Sequence, residues 1–195
     1  MNRRELCRVL GAAVASPALS RLSANELWAV GRRAHARGPG LGFRVLDPHQ
    51  AETVEMIAEL IIPETDTPGA RAARLPEFID LLLAEWAPDD DRKQFLDGLA
   101  DVDARARAAS AADFRSASEA QRVAILTALD AEAQEARKAK ADGKPHFFDH
   151  MKFVTVYGYC TSEAGATAEL HYEAIPGAFE PCAPMDRWRA APGDF

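Results

Sequence analysis

The chain has 195 residues, of which 48% are hydrophobic and 27% are charged, the composition of a globular protein with a core of its own. Its net charge of −7 argues against a nucleic acid as partner. Three cysteines are too few for a disulfide-built domain, and no apolar run approaches the roughly 18 residues that a membrane-spanning helix needs.

Residues 1–24 have the layout of an export leader. Arg3 and Arg4 stand side by side, and a weakly apolar stretch of small residues follows over 9–19. A basic head, an apolar middle and small residues suited to cleavage are features of a twin-arginine signal. Residues 1–37 carry a net charge of +5 and the rest −12, which predicts a basic leader on an acidic body. The alternative is an ordinary amphipathic helix with an incidental arginine pair.

Apolar residues then recur at helical spacing in four segments. The first follows a glycine-rich linker, residues 25–47, and begins with Asp47 as its N-cap. It ends before Pro63, which has no amide hydrogen and restricts the preceding residue. Turn-forming residues fill positions 64–69, and Pro76 suits the first turn of the second helix.

The third and fourth helices each carry an apolar stripe. The stripes consist of Phe95, Leu99, Val102 and Ala106 in the third helix and of Val123, Leu126, Leu129 and Ala133 in the fourth. Ser118 and Gln121 predict a capping box at the start of the fourth. No segment alternates apolar and polar residues with period two, so the predicted fold class is all-α. We expect one helical bundle over residues 48–173, followed by an extended arm over 174–195.

Two histidines, His146 and His150, are four residues apart, which lets both reach one metal ion from one face of a helix. Asp149 or His171 could supply a third ligand. However, His146 is not followed by the glutamate that a metallohydrolase uses as its base. The two phenylalanines between them are also explained as core anchors that the histidines flank. A metal site and a structural role both remain open.

The segment that follows combines small, aromatic and polar residues in a pattern that indicates a binding surface. Gly158 would let another backbone approach closely, and Ser162 with Glu163 could cap a short helix over about 162–171. Tyrosines often anchor partners at interfaces. The predicted partner-binding residues are Tyr157, Gly158, Tyr159, Cys160, Thr161, Ser162, Glu163, Pro176, Gly177 and Cys182.

The tail is rich in proline, with three within residues 175–184, so it is predicted to be an extended arm laid over a surface. Its Cys182 could form a disulfide with Cys160 in an oxidising compartment. Either thiol could instead pair with another chain. Both would remain free if the protein stayed in the cytosol.

Three blocks of the sequence together resemble one family. They are residues 61–70 (IIPETDTPGA) with 75–80 (LPEFID), residues 157–163 (YGYCTSE) and residues 175–177 (IPG), in this order. They are similar to the third, small subunit of gluconate 2-dehydrogenase. The resemblance extends over about residues 50–184.

The resemblance implies a non-catalytic small subunit of a periplasmic sugar, sugar-acid or glycoside dehydrogenase. A large subunit of the glucose–methanol–choline oxidoreductase family would carry FAD and abstract the hydride, and a cytochrome commonly receives the electrons. The small subunit would stabilise the large one and help its twin-arginine export.

The chain itself has no glycine-rich phosphate loop after a strand and no haem-attachment motif, so no cofactor and no activity of its own are expected. Two alternatives to the subunit function remain. One is an independent metalloprotein that uses His146 and His150, and the other is a transient export or assembly chaperone.

Overall fold

The computed structural model describes residues 42–139, 145–170 and 172. The predicted leader with Arg3 and Arg4 lies outside the described residues. So do His171 and the predicted arm over 174–195, which contains Pro176, Gly177 and Cys182.

The described residues form five α-helices and two short helical turns. The helices are α1 (Pro48–Ile61), α2 (Leu75–Glu85), α3 (Asp89–Ala108), α4 (Glu119–Ala139) and α5 (Phe147–Thr161). A 3₁₀ turn (Ala70–Ala73) precedes α2, and a π turn (Gly165–Glu169) follows α5. No strand occurs in residues 42–139, 145–170 and 172, which confirms the predicted all-α class.

The helix ends lie where the local signals place them. The Asp47 side chain accepts a hydrogen bond from the Gln50 amide, and the Gln50 side chain accepts one from the Asp47 amide, which completes a capping box. Ser118 and Gln121 exchange the same pair of bonds at the start of α4. Helix α1 ends at Ile61, two residues before the proline that was predicted to stop it.

Helix α5 is central to the core, since it packs against each of the other four α-helices. A Cβ atom on its Gly158 would lie 2.6 Å from Leu75 Cδ2 and 2.7 Å from Phe78 Cδ1. The predicted close approach at this glycine is therefore present. Side chains of α2 make it, rather than the backbone of another helix.

The apolar stripe predicted for α4 is wrong at Val123, which is 47% exposed. The buried residues of this helix are Ile125, Leu126, Leu129 and Ala133. The buried residues lie on the side of α4 that faces α3 and α5. Val123 lies outside this buried stripe.

The segment before α1 is attached to α2 by the buried carboxylate of Asp80, which is 2% exposed. This carboxylate accepts hydrogen bonds from the amides of Arg44 at 2.9 Å, Val45 at 2.8 Å and Leu46 at 2.9 Å. A buried carboxylate with three amide donors is well compensated for its lost hydration. Asp80 thus fixes the position at which the chain enters the bundle.

Candidate partner-binding site

A tight loop, residues 63–69, connects α1 to the 3₁₀ turn. Its two ends are joined by a backbone hydrogen bond from the Ala70 amide to the Ile62 carbonyl at 2.9 Å. Within the loop, the Thr65 amide donates to the Thr67 carbonyl at 3.1 Å. Backbone hydrogen bonds therefore join both the ends of the loop and the residues at its tip.

Glu59, in the last turn of α1, forms hydrogen bonds at both ends of this loop. Its carboxylate accepts from the Glu64 amide at 3.1 Å and from the Arg71 amide at 2.9 Å, one on each side of the loop. A Cβ atom on Gly69 would lie 2.6 Å from both a Glu59 oxygen and the Glu64 nitrogen. Only glycine leaves room for this arrangement.

Helix α5 and the π turn hold the other side of the loop. The Tyr159 hydroxyl donates to the Pro68 carbonyl at 2.6 Å, and Tyr159 is only 3% exposed. Burial raises the pKa of Tyr159, so its hydroxyl keeps its proton. The Thr67 hydroxyl donates to the Glu169 carboxylate at 3.0 Å. The loop is thus attached to three elements.

The π turn is itself ordered by Ser162. The Ser162 hydroxyl accepts from the Gly165 amide at 3.0 Å and donates to the Tyr159 carbonyl at 2.7 Å. The capping function predicted for Ser162 is confirmed, although the helical segment ends at Glu169 and is a π turn. A Cβ atom on Gly165 would lie 2.0 Å from the Tyr159 oxygen, so the tight junction requires glycine.

The loop and the π turn together form an exposed surface, which we call the loop face. The loop face consists of Pro63, Glu64, Thr65, Asp66, Glu169, Leu170 and Tyr172, all of them exposed. Its two large hydrophobic side chains, Leu170 at 45% and Tyr172 at 54%, are among the most exposed of their kind in the described residues. Acidic and apolar groups on a pre-ordered backbone are suited to binding another protein.

A family model described as gluconate 2-dehydrogenase subunit 3 matches residues 48–177. The chain belongs to the gluconate 2-dehydrogenase subunit 3 family. The resemblance of the sequence blocks is thereby confirmed, and the match contains the whole loop face. Neither the curated proteins nor the solved structures gave a match. Across the described part of this family member, no helix combines the length and apolarity needed to cross a membrane.

In this member of the subunit 3 family, several predicted partner-binding residues belong to the interior. Gly158, Tyr159 and Ser162 are buried, Tyr157, Cys160 and Thr161 are half-buried, and Glu163 is exposed. Tyr157 packs against Phe78 and Phe153, with ring centroids 6.0 and 5.8 Å away, and burial raises its pKa to about 12. Of the buried residues, Tyr159 and Ser162 support the loop face from inside.

Cys160 lies half-buried near the end of α5. Burial, assisted by the charge of Glu169, raises the pKa of its thiol. A raised pKa disfavours the reactive thiolate. Its predicted disulfide partner, Cys182, lies outside the described residues.

His146 lies directly before α5 and His150 lies within its first turns, and the His150 amide donates to the His146 carbonyl at 3.1 Å. His146 is the N-cap of α5 with an extended backbone, and its Nδ1 accepts from the Phe148 amide at 3.2 Å. His150 is in the first turns of the helix, with its ring edge-on to Phe95. In residues 42–139, 145–170 and 172, no three His, Cys, Asp or Glu residues could hold a metal ion. Phe147 and the neighbouring phenylalanine are buried, as predicted for core anchors.

Sequence reasoning missed the support that Glu59 gives to the loop. The one available signal was its position, because an acidic residue in the last turn of a helix is unfavourable towards the helix dipole unless it has another partner. It also missed a polar cluster at His49, whose Nε2 lies 2.5 Å from Asp103 and whose Nδ1 lies 3.7 Å from Asp113. These partners come from α3 and the connection after it, so no local pattern reveals them.

Proposed function

We propose that this chain is the non-catalytic small subunit of a periplasmic FAD-dependent dehydrogenase that oxidises a sugar, a sugar acid or a glycoside. The observation that carries the proposal is the family match, which includes all five helices and the loop face. Its partner is then a large catalytic subunit that holds FAD, with a cytochrome as a further component. The small subunit stabilises this partner and helps its export through the twin-arginine pathway.

The loop face is the surface that we assign to the large subunit. Glu59 and Tyr159 bond to the backbone of its loop and Glu169 bonds to the Thr67 side chain, so little conformational entropy remains to be lost on binding. The side chains at positions 63–66 are exposed and are not part of the core. An ordered loop that presents such side chains to solvent is better explained by recognition than by stability.

The charge of the loop face indicates the chemistry of the surface that it meets. Glu64, Asp66 and Glu169 are exposed acids, and Arg71 is the exposed base beside them. Leu170 and Tyr172 add apolar area. A complementary partner surface would carry basic residues around an apolar centre.

Charge reversal of the loop tip tests this assignment. The variant Glu64→Lys/Asp66→Lys should fold normally, because neither side chain supports the core, and should reduce co-purification of the flavoprotein at least tenfold. The matched control is Asp97→Lys/Glu135→Lys, which changes the net charge equally on the exposed surfaces of α3 and α4.

Two results would count against parts of the proposal. Normal flavoprotein recovery with the loop-tip variant would place the interface elsewhere on the chain. A small chain that leaves after maturation, absent from the active complex, would identify it as a transient chaperone instead of a subunit.

A further inference from the structure

A small pocket lies at the junction of α2, α3 and α5. Its cavity volume is about 20 Å³, which is room for about one water molecule. Its walls are mostly aliphatic side chains of α2 and α5 together with Phe95. Two of the lining residues, Trp86 and His150, carry ring nitrogens.

The indole nitrogen of Trp86 is the first polar group that needs a partner. Trp86 is the C-cap of α2, and its amide donates to the Leu82 carbonyl at 3.0 Å, which fixes the residue in place. Its Nε1–H is buried and has no hydrogen-bond partner among the described residues. A buried donor left unsatisfied destabilises a fold by about 1–3 kcal/mol, so such groups are rare in native proteins.

His150 is the second polar group of the pocket. Its ring packs edge-on against Phe95, with centroids 5.5 Å apart. Burial lowers the pKa of His150, while the charge of Asp91 on α3 opposes that shift, so the neutral imidazole is favoured. A neutral imidazole offers one donor and one acceptor nitrogen.

We propose that this pocket binds a single water molecule, whose oxygen accepts from the Trp86 Nε1–H and which also hydrogen-bonds to the His150 imidazole. A water molecule suits the site because it both donates and accepts, whatever the tautomer of the imidazole. An apolar occupant would leave the indole donor unsatisfied, and an anion would be disfavoured by the aliphatic walls. The volume meets the minimum that a buried water requires.

This water would connect the end of α2 to the first turns of α5 without a direct side-chain bond. The site is separate from the loop face and does not depend on the proposed function. It would be present in the isolated chain and in its complex alike.

The experiment is crystallography of the full chain, alone or in its complex, at a resolution that shows ordered water, with a parallel crystal under xenon pressure. We expect one ordered water within hydrogen-bond distance of Trp86 Nε1 and a His150 nitrogen, and no xenon in the wild-type pocket. In Trp86→Phe/His150→Leu, which makes the lining wholly apolar, the water should be lost and xenon should enter.

A dry wild-type pocket, or one that takes up xenon, would overturn the proposal. So would water retained in the double variant, because the two ring nitrogens would then not be what holds it. If the double variant does not fold, the wild-type crystals with and without xenon still decide the question.

Discussion

Glu59 shows how much of the loop face depends on a single carboxylate. It bonds to amides on both sides of the loop, and its oxygens occupy the space that a side chain at position 69 would need. Hydrogen bonds to a charged acceptor are stronger than those between neutral groups. Glu59 and Gly69 therefore fix the ends of the loop, while Tyr159 and Glu169 hold its far side.

Replacing Glu59 by Ala should lower the free energy of unfolding by about 1–2 kcal/mol, because the amides of Glu64 and Arg71 lose their acceptor. It should also weaken flavoprotein binding, since the loop is no longer pre-ordered. Chemical denaturation and co-purification measure the two effects. Glu55→Ala is the control, because Glu55 forms only an exposed pair with Arg71 and should change stability by less than about 1 kcal/mol.

Gly158→Ala should destabilise the bundle by about 1–3 kcal/mol, since the added methyl group would overlap with Leu75 and Phe78. Thermal unfolding of the purified chain measures this loss of stability. Gly42→Ala is the control, because nothing lies within 4 Å of a Cβ atom at position 42. Equal stability of the two variants would show that α2 and α5 can separate without loss.

His150 should make the fold sensitive to mild acid. Burial lowers its folded-state pKa below the ordinary 6.5, so the unfolded chain binds the proton more readily than the folded chain. The stability that this neutral histidine contributes is complete above pH 6.5 and is lost as the pH falls through the range below it. The denaturant midpoint should decrease as the pH is lowered from about 7.5 to about 5, and His150→Leu should make this decrease smaller. An equal decrease in the variant would show that other groups cause the acid sensitivity.

At the scale of the elements, the ends of helices were predictable because their signals are local. Asp47, Pro63 and Ser118 act through backbone groups within a few residues of themselves. Val123 was misplaced because its burial depends on which side of α4 meets α3 and α5, and the periodicity of one segment does not fix that direction precisely enough.

The site was predictable only in part, for the same physical reason. Ser162 as a cap and residues 64–69 as a turn follow from local chemistry. The Tyr159 hydroxyl donates to the Pro68 carbonyl, 91 positions away in sequence. Neighbouring residues therefore could not reveal that Tyr159 is buried and supports the loop. The N-cap position of His146 was not predicted, because the spacing of two histidines does not show that the helix begins at the next residue.

At the scale of the whole molecule, the proposed complex requires export of a protein with a basic leader and an acidic body. Replacing Arg3 and Arg4 by Lys should leave the folded body unchanged, because the bundle begins more than forty residues later. The chain and its flavoprotein should then accumulate in the cytoplasm. Cell fractionation shows where the chain accumulates, and sugar-dependent dye reduction in each fraction shows where the active flavoprotein is. Undiminished periplasmic activity would show that the pair is not a twin-arginine signal.

The contact between Asp80 and the amides of residues 44–46 has a consequence for maturation. All three bonds go to main-chain groups, so they are indifferent to the side chains that precede them and to whether a peptidase has trimmed the chain further upstream. We therefore expect the carboxylate to keep these donors when the chain before position 43 is trimmed or exchanged, so that the path of residues 44–46 into α1 is retained.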